Sequence, residues 1–446
     1  MIAAVPTITG PDLLPRLGQI RANTPAFLLD CAQQGDLVRF SVGNVQAFLV
    51  NRAEWVRHIL QDNHRNYTKN TIQYNSLAQV TGRGLLTSDG ELWFRNRRLQ
   101  QPAFARSRLV ALDGVVIPAV ERMLEQWQAA AQRGETLDID QEMMRLTLEV
   151  VGKALFSMDL SRSAQRLTQA TLTALDHIVY QAQNLVTPPL WLPTPRNRRF
   201  RRALSDLNAA VYALMAERQA QMDAGEDMLG MLLKARDPET GAALSQQEVR
   251  DEVITLLIAG HETVASSLTW SWYLLARNPH VWQTLHTEVA QLGNRLPMSA
   301  DLAGLRWTGQ VFNEALRLYP PAWLITRQSI EADELDGVVI PPRSLIILSP
   351  YVLHRHPAYW PNAEVFDPQR FAEEMEKGRP RYSFIPFGGG PRLCIGHQFA
   401  QIEAQLILAA VTQRVRLELL DEQAVSAAPL VTLRPTHGLH MRAHFL

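Results

Sequence analysis

The stretch from Phe384 to Phe399 constrains the fold most, because it places Cys394, one of only two cysteines, in a loop rich in glycine and proline. The three consecutive glycines at 388–390 permit positive φ angles and let the backbone lie close to a flat ligand, while the prolines limit the freedom of the loop. An amphipathic run that starts at Ile395 predicts a helix, whose N-terminal end favours the thiolate form of a nearby cysteine. The stretch therefore predicts a stiff metal-ligand loop.

Three other roles compete with metal ligation for this loop. A phosphate cradle would need a Lys-Ser or Lys-Thr pair or a strand-turn-helix spacing after the glycines, and neither is present. A nucleophilic cysteine and a buried, inert cysteine both stay open when Cys394 is considered alone. The whole string, with Phe387, Gly390, Arg392, Cys394 and Gly396 at fixed spacing, resembles the haem-ligand signature of the cytochrome P-450 (haem-thiolate monooxygenase) superfamily.

Composition limits the class of protein further. The chain has 446 residues, is 46% hydrophobic and contains no linker or repeat, so we expect one cytochrome P-450 domain over residues 1–446. Basic and acidic residues number 44 each, so the chain lacks the excess of positive charge that is typical of proteins that bind nucleic acids. Two cysteines indicate a reducing compartment, and Met1–Gly10 shows neither a signal peptide nor a membrane anchor. We therefore expect a cytoplasmic monomer without a stable membrane anchor.

The longest predicted helix runs from Ser245 to Ala276. Ser245 and Glu248 form a capping-box pattern at its start, and Asn278 with the following proline marks its end. A charge is costly in the middle of a membrane span, so Glu262 favours a helix buried in the protein over a transmembrane one.

A short motif at the midpoint of this helix carries chemistry. Residues Ala259 to Thr263 read Ala-Gly-His-Glu-Thr and resemble the oxygen-binding motif of the superfamily. We expect Gly260 to leave room for a ligand, Thr263 to offer a hydroxyl and Glu262 to supply an exchangeable carboxylate, so that protons reach dioxygen. A Thr263 hydroxyl bonded to the carbonyl one turn earlier is the alternative, and both arrangements can hold together.

The resemblance also implies residues that bind haem b, or iron protoporphyrin IX. Trp93 and Arg97, four residues apart on a predicted helix, resemble a pair that hydrogen-bonds a haem propionate, although a solvated basic face is the alternative. Arg327 matches a second propionate-binding arginine, and His354 lies in a stretch similar to one near the haem edge, for which a surface turn is the alternative. The implied cofactor-binding residues are Trp93, Arg97, Ala259, Arg327, His354, Phe387, Arg392 and Gly396, with Cys394 as the iron ligand.

Three charged residues are assigned to structure. Glu314 and Arg317 lie three residues apart on one predicted helix face, and by resemblance Arg370 completes a buried Glu-Arg-Arg set that supports the haem loop. We expect no catalytic role for them.

An apolar turn around Trp191 is followed by a basic helix start. The basic residues are Arg196, Arg198, Arg199, Arg201 and Arg202. A solvated helix start is favoured, and contact with a membrane surface is the alternative. By resemblance, this region is a mobile lid over the substrate channel.

The resemblance implies a mainly α fold with small β-sheets, with haem between the cysteine loop and the long helix. The implied reaction inserts one oxygen atom from O2 into an apolar molecule such as a fatty acid, terpenoid or steroid, by hydroxylation or epoxidation. Alternating apolar residues from Leu37 to Val50, interrupted by a turn at Gly43 and Asn44, predict a hairpin. Its residues Gln46 to Phe48 include no Arg-Tyr pair that could anchor a carboxylate, which weakens the fatty-acid interpretation.

We expect no fused reductase, so electrons come from a separate ferredoxin or flavodoxin with its reductase, or from peroxide, and NAD(P)H acts only indirectly. Arg95 and Arg98 are candidate docking cations. A haem-thiolate peroxygenase or isomerase is the alternative function, against which Glu262 and Thr263 argue. A non-catalytic haem sensor would need an output domain, of which the sequence gives no sign.

Overall fold

The computed structural model describes residues 5–159, 164–184, 187–220, 225, 227–237, 241–420 and 425–446. Within these ranges the chain forms two compact units. The first, which we call the sheet unit, comprises Met1–Tyr74, Asn313–Cys394 and Ser426–Thr436; the second, the helical unit, comprises Asn75–Phe312, Ile395–Val425 and His437–Leu446.

Helices dominate the described residues, as the sequence predicted. The α-helices are α1 Gly10–Leu13, α2 Leu17–Ala22, α3 Thr24–Ala32, α4 Ala53–Arg57, α5 Ile72–Thr81, α6 Gly90–Gln100, α7 Arg106–Leu109, α8 Asp113–Gln132, α9 Ile139–Phe156, α10 Ala164–Gln183, α11 Pro195–Ala220, α12 Met228–Lys234, α13 Gln246–Arg277, α14 Pro279–Ala290, α15 Arg306–Leu318, α16 Pro350–Leu353, α17 Glu373–Glu376 and α18 His397–Thr412. A π-helical turn at His58–Asp62 extends α4. Among the described residues, no helix combines the length and apolar character that crossing a membrane requires.

The strands are short. They are β1 Thr7–Thr9, β2 Leu37–Val42, β3 Val45–Val50, β4 Tyr67–Thr68, β5 Leu137–Asp138, β6 Ile325–Ser329, β7 Asp333–Leu335, β8 Val338–Ile340, β9 Leu345–Leu348, β10 Val415–Leu419, β11 Ala427–Pro429, β12 Leu433–Pro435 and β13 His440–Phe445. The mainly α fold with small sheets expected from the sequence is confirmed.

The sheet unit is built around a six-stranded sheet of order β1-β2-β3-β9-β6-β4. The predicted hairpin forms β2 and β3, which pair antiparallel around Gly43, whose φ of +57° suits the tight turn. Side chains on its inward face are apolar, and Phe48, Ile346 and Leu348 are buried in one core cluster. The two-stranded sheets β7-β8 and β11-β12 also belong to this unit.

The helical unit is organised around α13. Ser245 caps it, and its hydroxyl and the Glu248 carboxylate exchange hydrogen bonds with each other's backbone, so the predicted capping box is confirmed. Helix α9 packs along α13, and the Thr147 hydroxyl donates to the carbonyl of His261 at 3.0 Å. Helices α10 and α11 pack together, and β10, β13 and β5 form a three-stranded sheet.

Two predicted segments can be compared with the structure. The pattern at 431–441 predicts strand residues with a turn at Pro435 and Gly438, and it contributes to β12 and β13, which lie on either side of that turn and belong to different sheets. The break follows from Gly438, whose φ is +73°, a conformation that turns the chain out of the strand direction. The helical pattern at 160–186 corresponds to α10, and residues 160–163 and 185–186 of that prediction lie outside the described residues.

Candidate active site

The cysteine loop turns back on itself within the sheet unit. The backbone N–H of Cys394 donates to the carbonyl oxygen of Phe387 at 3.0 Å, and the N–H of Gly388 donates to Ile385 O at the same distance. Gly388 and Gly390 have φ angles of +73° and +63°, which L side chains rarely adopt. The closed turn presents the Cys394 side chain at the surface of its unit, where it is exposed.

The glycines are also required by close contacts. A Cβ atom at Gly390 would lie 1.9 Å from Leu60 O, and one at Gly389 would lie 2.5 Å from the Tyr382 ring. The hydroxyl of Tyr382 accepts from the N–H of Gly390 at 3.0 Å and donates to Gln61 Oε1 at 2.6 Å. Tyr382 therefore fixes the loop to the π-helical turn, a role that sequence reasoning missed because the contact joins distant parts of the chain.

The two cysteines differ in their chemistry. Cys31 is buried in α3, and burial raises the pKa of its thiol to about 11, so it stays protonated at neutral pH. Cys394 is exposed in a rigid loop, as a ligand to an external group must be. No group of three His, Cys, Asp or Glu side chains in the described part of the chain could hold a bare metal ion. A lone cysteine fits an iron whose other ligands a porphyrin supplies.

A buried charge cluster supports the sheet unit beside this loop. Arg317 and Glu314 are both 0% exposed, and the guanidinium Nε and Nη2 donate to the two carboxylate oxygens at 2.7 and 2.8 Å. Arg370 Nε lies 3.4 Å from Glu314 Oε1, and the N–H of Asp367 donates to the same oxygen at 2.9 Å. The predicted Glu-Arg-Arg set is confirmed as a structural feature.

His354 belongs to this cluster, which corrects the cofactor-binding role predicted for it. Its backbone carbonyl accepts from Arg317 Nη1 at 3.0 Å, and its Nε2 accepts from the N–H of Ile385 at 2.9 Å. The side chain is 0% exposed, so no face of the ring remains for a cofactor. Burial holds the pKa of His354 well below its usual range, and the neutral ring positions the start of the cysteine loop.

Arg327 on β6 is a buried cation that fits an anionic cofactor. Its side chain is 6% exposed, and Nη1 donates to Thr326 O at 2.8 Å and to the Tyr74 hydroxyl at 3.3 Å. Among the residues that the structure describes, no carboxylate pairs with it. A buried guanidinium without a counter-ion suits a propionate group.

Helix α13 of the helical unit is buried along most of its length, but a short interruption in that burial, here called the opening in α13, lies near its midpoint. Every residue from Val249 to Leu275 is buried except Ala259, Gly260 and Thr263, which are partly exposed. Thr263 shares a helix face with both of the others, because it follows Ala259 by four residues and Gly260 by three. The interruption coincides with the motif that resembles an oxygen-binding site.

The contacts in this opening assign different roles to its residues. Thr263 Oγ1 donates to Ala259 O at 2.8 Å, which is the bonding to the preceding turn that the sequence left open. A Cβ atom on Gly260 would lie 2.9 Å from Val151 Cγ2, so the absence of a side chain lets α9 pack closely against α13. The expectation that Gly260 also leaves room for a ligand stays a prediction, because Gly260 is itself partly exposed. Glu262 is only 2% exposed.

Helix α6 carries the other predicted cofactor contacts of the helical unit. Trp93 is buried, Arg97 is half-buried, and the carboxylate of Asp89 caps the helix. Arg95 Nη2 donates to Glu248 Oε1 at 2.5 Å, so this residue is engaged within the unit and does not offer a vacant docking cation. Arg98 is exposed.

The remaining predicted residues flank the cysteine. Gly396 is the N-cap of α18, and a Cβ atom there would lie in ordinary contact, 3.6 Å from the ring of Phe104. Phe387 and Arg392 are half-buried in the cysteine loop. The predicted site residues thus divide between the two units.

A loop before α6 was missed by the sequence reasoning. Asp251 Oδ2 accepts from the N–H of Arg83 at 2.8 Å, and Glu252 Oε2 accepts from the N–H of Leu85 at 2.9 Å. A Cβ atom on Gly82 would lie 2.1 Å from the Asp251 carboxylate. Burial raises the pKa of Glu252 to about 7. The two neighbouring acidic side chains on α13 thereby fix the segment that leads into α6.

Comparisons with known proteins identify the family of the chain. The profile of the Cytochrome P450 family matches residues 13–438. Similar curated proteins include cyclooctatin synthase of Streptomyces melanosporofaciens, 40% identical over 95% of this chain and 92% of that protein, and cyclooctat-9-en-7-ol 5-monooxygenase of the same species, 34% identical over 92% and 89%. Pentalenene oxygenase of Streptomyces avermitilis is 32% identical over 97% and 96%. The cytochrome P450DA heme domain superposes with a TM-score of 0.89 at 26% identity, covering 99% of this chain and 98% of that one.

Proposed function

The chain belongs to the cytochrome P450 family, and from this premise we propose that its substrate is a polycyclic terpenoid. It is a haem b monooxygenase, as the sequence predicted, and it inserts one oxygen atom from O2 into an apolar organic molecule. Two similar proteins are named for the oxidation of cyclooctat-9-en-7-ol and pentalenene, both polycyclic terpenoids. Their names support this substrate class over fatty acids and steroids.

The hairpin β2-β3 supports an uncharged substrate. Ala47 and Phe48 are buried, and Gln46 Nε2 donates to Ser41 Oγ at 3.0 Å, so no charged side chain stands at positions 46–48. A fatty-acid carboxylate would have no cationic anchor at these three positions.

For the cofactor, we propose that Cys394 would supply the thiolate ligand and that Arg327, Arg97 and Arg392 would bind the propionates, with Trp93, Ala259, Phe387 and Gly396 as further contacts. The exposed thiol on a closed loop supports the first role, and the buried Arg327 guanidinium, to which no described carboxylate is paired, supports the second. Haem with a cysteine ligand supplies an electron-rich iron that favours cleavage of the O–O bond. These residues of the chain would hold the group in place.

For proton delivery, we propose that Thr263 and Glu262 act together. The opening in α13 at Ala259, Gly260 and Thr263 is the observation that carries this assignment. Because Thr263 Oγ1 donates its own proton to Ala259 O, its lone pairs are left to accept a hydrogen bond from water or another donor. The hydroxyl can rotate and pass a proton onward from Oγ1, and Glu262 is the nearest acid along the chain. Gly260 would leave room for the ligand beside this hydroxyl.

We further propose that residues 1–446 form one domain, which is supported by a family match that spans segments of both units. P450 enzymes use a redox partner and a small-molecule substrate, and for this chain we propose a ferredoxin or flavodoxin with its reductase. Arg98 is the proposed docking cation, because its side chain is exposed. A cytoplasmic monomer is part of the same proposal.

The test combines binding with product analysis. Purified holoenzyme is titrated with a polycyclic terpene hydrocarbon, the matching alcohol, a long-chain fatty acid and a steroid, and the Soret shift that accompanies displacement of water is recorded. We expect saturable shifts with the terpenoids alone, and product that carries one labelled atom when 18O2 and a reducing system are supplied. Shifts with the fatty acid alone would reject the substrate class, whereas product formed without O2 would indicate the isomerase alternative.

A further inference from the structure

One face of α13 leads from the start of the helix to its opening. The residues of this face, here called the α13 stripe, follow one another at spacings of four, three, four and four residues and are Glu248, Glu252, Thr255, Ala259 and Thr263. At 100° per residue they lie within about 80° of arc around the helix. The stripe begins at the surface, where the side chain of Glu248 is 38% exposed, and it ends at the opening.

Glu252 is the buried acid of the stripe. It is 2% exposed, its Oε2 accepts from the N–H of Leu85, and its Oε1 has no hydrogen-bond partner among the described residues. The amide of Gln100 on α6 lies beside this carboxyl group and favours its charged form, yet within the described ranges neither polar atom of the amide forms a hydrogen bond. Gln100 is 0% exposed, and buried polar atoms of this kind bind ordered water.

The loop before α6 covers the next polar group of the stripe as well. Thr255 is 3% exposed, and its hydroxyl has no partner in the part of the chain that the structure describes. A Cβ atom on Gly84 would lie 2.2 Å from Thr255 Oγ1, and Leu85, the next residue of the loop, bonds to Glu252. One short segment therefore covers both the carboxyl group and the hydroxyl group.

Charges of both signs face Glu252. Arg95 on α6 favours the charged form of the carboxyl group, and Asp251 beside it on α13 opposes that form. Asp251 is paired with Arg250 at 2.8 Å, and Glu248, one turn before Glu252, accepts from Arg95 at 2.5 Å. Burial has the largest effect and raises the pKa of Glu252 to about 7. At neutral pH this carboxyl group can therefore both hold and release a proton.

We propose that Glu252 relays protons from solvent to Thr263 through water held along the α13 stripe, an inference that rests on the role proposed above for Thr263. The need for such a route follows from Glu262, the acid beside Thr263. It is only 2% exposed, so a proton that leaves it has to be replaced from solvent by a path through the protein. Glu252 acts through water and through Thr263, which makes it a positioning residue for protons.

Each step of the relay breaks one O–H bond and forms another. The Glu252 carboxyl group gives its proton to a water bound by Gln100 and Thr255, and further waters pass a proton along the helix to Thr263 Oγ1. Eight residues separate the two threonines, a rise of about 12 Å that about three waters span. Ala259 lies between them with only a methyl group and is partly exposed, which leaves room for these waters. The Glu252 carboxylate then regains a proton through water from the surface end of the stripe.

The first test is an infrared pH titration of the holoenzyme. The wild-type protein should show a protonated-carboxyl band that disappears as the pH rises through about 7, and Glu252→Gln should lack it. Burial raises the pKa of Glu403 well above its usual range, so that group contributes a constant background. In D2O the titrating band should shift within minutes, because the relay connects Glu252 with solvent. A titrating band that keeps its hydrogen for hours overturns the proposal.

The second test measures product formation with a reducing system between pH 6 and 8, at equal haem content. Glu252→Gln keeps an acceptor for the N–H of Leu85 but releases no proton, so it should slow the reaction roughly tenfold and remove the decline expected above pH 7. Glu252→Asp should recover part of the rate. Thr255→Val should slow the reaction as well, and Thr255→Ser should not. The control is Ser271→Ala, which removes a buried hydroxyl of α13 away from the stripe and should leave the rate unchanged.

Comparison with Thr263→Ala separates the relay from the proposed function. If Thr263→Ala loses coupling while Glu252→Gln and Thr255→Val keep the wild-type rate and pH profile, the relay is wrong and the role of Thr263 stands. If Thr263→Ala also has no effect, the proposed function fails together with the relay. A slow Glu252→Gln variant that keeps the wild-type pH profile, without recovery in Glu252→Asp, would assign Glu252 to structure and overturn the relay.

Discussion

Replacing Glu314 by Gln should destabilise the protein far more than its small change in shape suggests. The substitution keeps two polar atoms near Arg317 but removes the negative charge, which leaves a guanidinium at 0% exposure without its counter-ion. It also turns an amide N–H2 toward either the Arg317 donors or the N–H of Asp367, where the carboxylate now accepts bonds of 2.7 to 2.9 Å.

The expected cost is about 3–5 kcal/mol, the range for breaking a buried ion pair by removing one member. With a denaturant slope of about 3 kcal/mol per molar urea or somewhat more, the urea midpoint should fall by about 1 M. Unfolding is followed by far-ultraviolet circular dichroism, with tryptophan fluorescence as the second probe. Coincident transitions from the two probes are needed before the shift is converted to free energy.

The matched control is Glu373→Gln, which breaks the exposed pair between Glu373 and Lys377, with side chains 80% and 71% exposed. Solvent screens that pair, so its loss should cost less than about 1 kcal/mol. If both variants shift the midpoint equally, the buried cluster does not support the cysteine loop in the way described.

Three further outcomes are expected. Thr263→Ala should divert reducing equivalents from product to hydrogen peroxide, because no hydroxyl remains to hold a proton there, and Thr263→Ser should restore coupling; unchanged coupling in the alanine variant would contradict the role. Because burial raises the pKa of Glu252 to about 7, protonation of this carboxyl group stabilises the fold. Its contribution to the free energy of unfolding is complete below pH 4.5, is lost as the pH rises to about 7 and changes little above that pH. The urea midpoints of Glu252→Gln should therefore lack this pH-dependent contribution. Gly260→Ala should cost about 1–3 kcal/mol by clashing with Val151, and Val151→Ala should recover part of that loss in the double variant.

The sequence predicted those features whose formation depends only on residues that are neighbours along the chain. The capping box at Ser245 and the hairpin turn at Gly43 depend on a few neighbouring residues, so both followed from the sequence. The spacing of Glu314 and Arg317 placed both on one helix face, whereas the third member of the set, Arg370, was predicted only from the resemblance to the superfamily. These features require no knowledge of tertiary contacts.

Contacts between distant segments were beyond such patterns. His354 was interpreted as a cofactor contact, whereas its burial depends on Arg317 and on Ile385, whose backbone donates to its ring. At Gly260, only the structure shows that Val151 of α9 approaches the position that a side chain would occupy. Both observations concern which neighbour fills the space around a residue, and periodicity carries no information about that neighbour.

The central claim is that Cys394 provides the thiolate ligand to the haem iron, and its most direct test is the spectrum of the reduced holoenzyme with carbon monoxide. The wild-type protein should show the red-shifted Soret band of thiolate ligation. Cys394→Ala should abolish that band, whereas Cys31→Ala, which removes the buried and protonated thiol, should keep it. A red-shifted band that survives Cys394→Ala, or its absence from the wild type, would contradict the assignment.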